Sequence, residues 1–193
     1  MKYQDSKGNA INNLIEWEKY FLKSDSKKKH WKDGRSAKSI AEFMINKNGI
    51  KIITDIVSNI LSEKVTFSKA IPEFEVKFDN YGKGREHDLG LFGKTDSNKR
   101  VFVGVEAKVD ESFNEKISDI YIKAKSKELN GESTNAPKRI EKLIQRNFNN
   151  ITPDKFNLRY QCLYSTVGTL EAKSNGNKAD ALCAKMTLDI FQH

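Results

Sequence analysis

Two cysteines and three histidines in 193 residues leave little material for thiol or imidazole chemistry. Cys162 and Cys183 form no CxxC pair and sit near no histidine cluster, so a structural zinc site is not expected. They read as reduced, buried small hydrophobes, with one disulfide between them as the minor alternative. His30, His87 and His193 are too few and too scattered to build a histidine-rich metal site. Long apolar runs are missing as well. No stretch approaches the length needed to span a bilayer, and Met1 to Lys7 lacks the apolar segment of a secretory signal. The expectation is a soluble, cytoplasmic protein with no membrane partner. There is no internal repeat and no low-complexity block. Gly82-Lys83-Gly84 lacks both the GxxxxGK[ST] pattern and the strand-to-helix context of a phosphate-binding P-loop.

What the chain has in excess is positive charge: 34 Lys and Arg against 26 Asp and Glu, a net +8. Lysines and arginines release condensed counterions from a phosphate backbone, so a polyanionic partner is the natural expectation. The length suits one domain with a substantial core.

The first third reads as helical. Ile11, Leu14, Ile15, Tyr20, Phe21 and Leu22 predict a helix over about residues 9–23. A basic loop follows, with Lys27, Lys28, Lys29, His30, Trp31, Lys32 and Arg35 around an Asp33-Gly34 turn. In it Lys28, Lys29, Trp31, Lys32 and Arg35 are candidates for gripping phosphates or stacking on a base. A solvated face, with Trp31 anchoring the next helix, is the competing reading. A second helix opens near Ser36 and ends at Asn48-Gly49, where the glycine can take a left-handed conformation. Ile52, Ile53, Ile56, Val57, Ile60 and Leu61 form the clearest helical stripe.

From residue 70 the period becomes two. Phe74, Val76 and Phe78 alternate with charged residues, then a turn-rich segment leads to a second strand at about 85–93. Residues 101–109 are nearly all apolar and β-branched, as in a strand buried on both faces. Helices are expected across Phe113 to Ala124 and after Pro137, a strand through Leu158, Tyr160, Cys162 and Tyr164, a short helix at 167–174, and a final strand at 181–188.

The chemistry concentrates at Asp88 and at Glu106-Ala107-Lys108. Side chains two apart on a strand share a face, so Glu106 and Lys108 point together while Val101, Val103, Val105 and Ala107 enter the opposite layer. Gly104, on the face of Glu106, would leave open space beside it. If the preceding hairpin strand pairs in ordinary register, Asp88 reaches the same end of the sheet. Two carboxylates and a lysine suit metal-assisted phosphodiester hydrolysis. Mg²⁺ prefers hard oxygens and keeps several waters, so one or two carboxylates plus a phosphate oxygen suffice, with the Ala107 carbonyl as a further ligand. The lysine can orient or deprotonate the attacking water. The bland reading is a surface ion pair at a strand end. His87 should face away from Asp88 and serve packing or a substrate contact.

These residues resemble the motif of the restriction-endonuclease-like superfamily, the PD-(D/E)xK nucleases. Asp88 matches its first acid, Glu106 its second and Lys108 its lysine, while His87 stands where the family name has proline. The order from about residue 36 to 190 is similar to the family's αβββαβ core. The resemblance implies an α/β (α+β mixed) fold in a single domain over 1–193. A helical part at about 1–65 would precede a sheet core at about 70–190. It also implies a Mg²⁺- or Mn²⁺-dependent nuclease acting on DNA, with RNA left open, in restriction or phage defence. The family often places a metal-holding glutamate on the helix before the sheet. Glu42 is the candidate, against a capping box with Ser39 or simple solvation. Gln161 and Arg159 resemble polar residues that some members aim at the active centre, and could equally be the outer face of a strand. A homodimer or a partner subunit could supply recognition of a DNA sequence. The alternative is a catalytically inactive nucleic-acid- or protein-binding module of the same fold.

Overall fold

The computed structural model describes residues 1–22, 25–77, 79–109, 113, 115–172 and 186–189, with Asp25, Ser26 and 186–189 described by backbone alone. The expected contributions of Phe78, Cys183 and residues 181–185 lie outside these.

An antiparallel meander forms the centre, from β2 (Val65–Val76), β3 (Arg85–Thr95) and β4 (Arg100–Lys108). β5 (Met186–Asp189) adds to β4 in parallel, and the two-residue β1 (Lys2–Tyr3) adds to the other edge, parallel to β2. The result is a four-stranded mixed sheet extended by one short strand, in the order β1-β2-β3-β4-β5. β2 begins five residues earlier than its alternation suggests, because a register shift between Phe67 and Lys69 breaks the period that marks a strand in sequence.

The two sheet faces are covered differently. Val65, Ala70, Leu89, Leu91, Val101, Val103, Val105 and Ala107 pack under α1 (Leu14–Phe21), α3 (Ser36–Asn46) and α4 (Gly49–Leu61), around Trp17, Ile40, Met44, Ile53 and Val57. The short α2 (Asp25–Lys28) lies between α1 and α3 in the chain. The other face carries Phe74, Phe92 and Phe102, ring against ring with centroids 5.0–5.6 Å apart, and receives α7 (Tyr160–Ala172). Behind α7, α5 (Ile117–Leu129) and α6 (Ala136–Asn147) form a satellite core of Ile117, Ile140, Leu143, Ile144, Leu163 and Val167. Burying each such aliphatic side chain stabilises by about 1.5–3 kcal/mol.

Five expectations need correction. The first helix starts at Leu14, not residue 9, because the Asn13 side chain accepts the Glu16 N–H at 2.9 Å and so caps the helix there. At the α3–α4 junction Asn48, not Gly49, takes the left-handed conformation (φ 52°). Gly49 opens α4 because a Cβ there would meet the Phe43 ring at 2.5 Å. From Tyr160 on, the strand expected at 158–164 is the start of α7. Tyr160 and Tyr164 satisfy a period of two and a helical i,i+4 step alike. Leu163 and Val167, also four apart, are the residues the satellite core buries, whereas Cys162 is only half-buried. The expected helix at 167–174 is this helix's second half, and the helix expected from Phe113 begins at Ile117.

Candidate active site

β3 and β4 pair in register from Lys94↔Arg100 to Leu89↔Val105. One residue beyond, the Asp88 carboxylate turns inward and accepts the Ala107 backbone N–H at 2.7 Å. That bond places one carboxylate on the backbone between Glu106 and Lys108. Burial pushes the Asp88 carboxyl above its ordinary value, against the Ala107 N–H and the charges of Arg85 and Lys108, which draw it down.

Glu106 is 3% exposed, and such a carboxylate needs partners. Gln161, on the first turn of α7, donates its amide to Oε1, and the Arg85 guanidinium donates to Oε2. The Lys108 ammonium stands 3.9 Å from Oε1. Two carboxylates, two cations and a neutral amide therefore meet where β4 ends.

Gly104 shares this face, but the space beside it is not open. A Cβ there would lie 2.7 Å from His87 Cε1 and Nδ1 and 2.8 Å from the Thr169 hydroxyl. The buried imidazole fills the gap, edge-on to Phe102 at 5.9 Å. His87 is thus a packing residue beneath the cluster. On α7, Gly168 lets the helix press onto Arg85, whose Cβ would be 2.7 Å from an added methyl. The Tyr164 ring sits 5.9 Å from the Arg85 guanidinium carbon. Arg139 of α6 then ties the hairpin loop down. It donates to Asp79 at 2.8 and 2.6 Å, to the Lys83 carbonyl at 2.9 Å and to the Tyr164 hydroxyl at 3.0 Å.

The remaining candidates stand apart from these contacts. Glu42 pairs along α3 with Lys38 at 3.8 Å. It forms no capping box with Ser39, because the helix is capped at Arg35. Arg159, exposed, precedes α7 and bridges to Lys116. Lys28, Lys29, Lys32 and Arg35 are exposed, while Trp31 packs its ring on Phe21 at 5.2 Å and borders the main core. Lys27 reaches both Glu73 and Glu86, the latter at 3.0 Å. One ammonium cannot neutralise two carboxylates. Burial pushes Glu73, the more enclosed, up to about 8, while Glu86 falls below its ordinary value.

Arg85 and Tyr164 are site residues that the sequence reading missed. The available signal was parity, since Arg85 and His87 are two apart on one strand. The link from Arg85 to Glu106, however, crosses a strand pair and depends on how β3 and β4 end.

Among the described residues no group of three or more His, Cys, Asp or Glu side chains is arranged to hold a metal. The donor set of Asp88 and Glu106 still fits a hard divalent ion, which takes carboxylate oxygen and fills its remaining positions with water and phosphate. No helix among the described residues is long and apolar enough to cross a membrane.

Fold and site together define an α/β protein with an acid–lysine cluster at the end of β4. The chain belongs to the family described as Domain of unknown function (DUF6946), whose model matches residues 10–187. No curated protein and no solved structure matches it.

Proposed function

We propose that this protein is a metal-dependent nuclease of restriction-endonuclease-like fold that hydrolyses phosphodiester bonds in DNA. The observation that carries the reading is the meeting of Asp88, Glu106 and Lys108 at one strand end, with Asp88 held on the Ala107 N–H at 2.7 Å and Lys108 3.9 Å from Glu106. Asp88 and Glu106 would hold a Mg²⁺ or Mn²⁺ ion, which when bound polarises a phosphate and makes water more acidic. The residues of the chain do the positioning. Gln161 fixes the rotamer of Glu106, and Ala107 fixes that of Asp88. The Lys108 ammonium, 17% exposed, can orient the attacking water or offset charge that builds on the phosphate. The excess of positive charge, +8 over the chain, supplies the sequence-independent attraction to a duplex. A role in restriction or phage defence follows from the resemblance alone.

A second reading has an observation in its favour. Glu106 already carries two donors, from Arg85 and Gln161, with the Lys108 ammonium 3.9 Å away, as a vestigial site in a nucleic-acid- or protein-binding module would. Incubating the purified protein with plasmid, linear duplex and single-stranded DNA, with Mg²⁺ or Mn²⁺ and then with EDTA, separates the two. Metal-dependent product supports the nuclease. Salt-sensitive binding without product supports the module.

A further inference from the structure

We propose that Arg85 is a resident counter-ion of this site: its guanidinium occupies Glu106 in the free protein and leaves it only when a phosphodiester and a divalent cation arrive together. The inference rests on the metal-dependent reading above and deepens it.

Among the described groups at the strand end, the two carboxyls of Asp88 and Glu106 already face two cations, Arg85 and Lys108, before any ion binds. The pair Arg85–Glu106 is enclosed, with side chains 13% and 3% exposed. A divalent cation entering such a cluster alone would bring two uncompensated charges into a site that disfavours them. A phosphodiester changes the balance, because it brings a negative charge and oxygens that match the fork of a guanidinium. Arg85 is suited to exchange one partner for the other. Its Nε is buried with no hydrogen-bond partner among the described residues, so its present pairing leaves donor capacity unused. Its stem is held against Gly168 and its head lies by Tyr164, so only the outer part of the side chain needs to move. Metal and phosphate then favour each other's binding, each relieving the imbalance the other creates.

Isothermal titration with Mn²⁺, in the absence of nucleic acid, tests this on wild-type protein, Arg85→Gln and Arg85→Lys. The expected result is binding at least tenfold tighter in Arg85→Gln than in wild type, with Arg85→Lys within about threefold of wild type. A residue that merely supported the fold would weaken metal binding when replaced. Because Arg85→Gln leaves Glu106 without its main counter-ion and can be less stable, thermal melting with and without Mn²⁺ gives a second readout. Mn²⁺ should raise the melting temperature of Arg85→Gln by more than that of wild type. Equal or weaker Mn²⁺ binding by Arg85→Gln, in a wild type that cleaves DNA with Mn²⁺, overturns the role of Arg85 and leaves the nuclease reading standing. Absence of both Mn²⁺ binding and cleavage in every protein overturns the two together.

Discussion

Replacing Gly104 by alanine inserts a methyl group into the tightest contact beneath the site. The new carbon would stand 2.7 Å from two atoms of the His87 ring and 2.8 Å from the Thr169 hydroxyl, so one side must retreat by roughly 1 Å to reach ordinary contact. Retreat is blocked. The imidazole is fully buried, Phe102 flanks it, and a methyl group on Gly168 would already lie 3.2 Å from its Nε2. Overpacking of this kind costs about 1–3 kcal/mol. Gly104 is not among the glycines with positive φ, so alanine also recovers about 0.4–1 kcal/mol through the unfolded chain. With retreat blocked the cost falls in the upper part of that range, about 2–3 kcal/mol, so the expected net loss is about 1–2.6 kcal/mol, which lowers the melting temperature of a chain this size by about 2–10 °C. Thermal and urea unfolding followed by circular dichroism measure it. In a His87→Ala background the same substitution should cost less, with a coupling energy of at least about 0.5 kcal/mol. A Gly104→Ala protein as stable as wild type, or an equal cost in both backgrounds, would refute the packing role of His87.

Three further outcomes are expected. Arg139→Ala removes the hairpin clamp of four hydrogen bonds and should cost about 1.5–3 kcal/mol, read as a shift in urea midpoint at unchanged slope. Glu73 has a folded-state pKa of about 8, above its unfolded value, so the folded protein holds a proton that the unfolded chain releases, and stability falls as pH rises towards and through 8. Glu73→Gln should therefore gain stability over wild type between pH 6 and pH 9, and a constant difference across that range would count against the shared proton. Asp88 is raised in the same sense. Asp88→Asn should unfold at no lower a temperature than wild type near neutral pH, since asparagine can still accept the Ala107 N–H, while losing metal-dependent cleavage.

The parts of the fold that were legible in sequence are those where one period dominates. The valine run of β4 is one, and the isoleucine stripe of α4 is another. α7 was not legible because Tyr160 and Tyr164 fit a strand and a helix equally, and the choice is made by Ile117, Ile140 and Ile144, which are distant in sequence. At the site, the shared face of Glu106 and Lys108 followed from β-strand parity. The Asp88 contact did not, because it forms where pairing with β4 ends and the side chain leaves the alternation. Gln161 was picked out for its polarity and assigned to a strand; a helix turn brings it to Glu106. Arg85 carried only the parity it shares with His87, which does not set it apart from the ordinarily solvated arginine of a strand start. Gly104 was read as leaving space, whereas the space belongs to a histidine seventeen positions earlier.

The central claim is that the acid–lysine cluster performs phosphodiester hydrolysis. The most direct measurement is single-turnover cleavage of end-labelled duplex DNA at saturating Mn²⁺, by wild type and by Lys108→Ala with matching thermal melts. The account expects product from wild type that EDTA abolishes, and a loss of about 100-fold or more in Lys108→Ala, the range of a positioned proton-transfer or charge-stabilising group. Product formed at equal rates by the two proteins, or none from a wild type that binds the duplex, would contradict it.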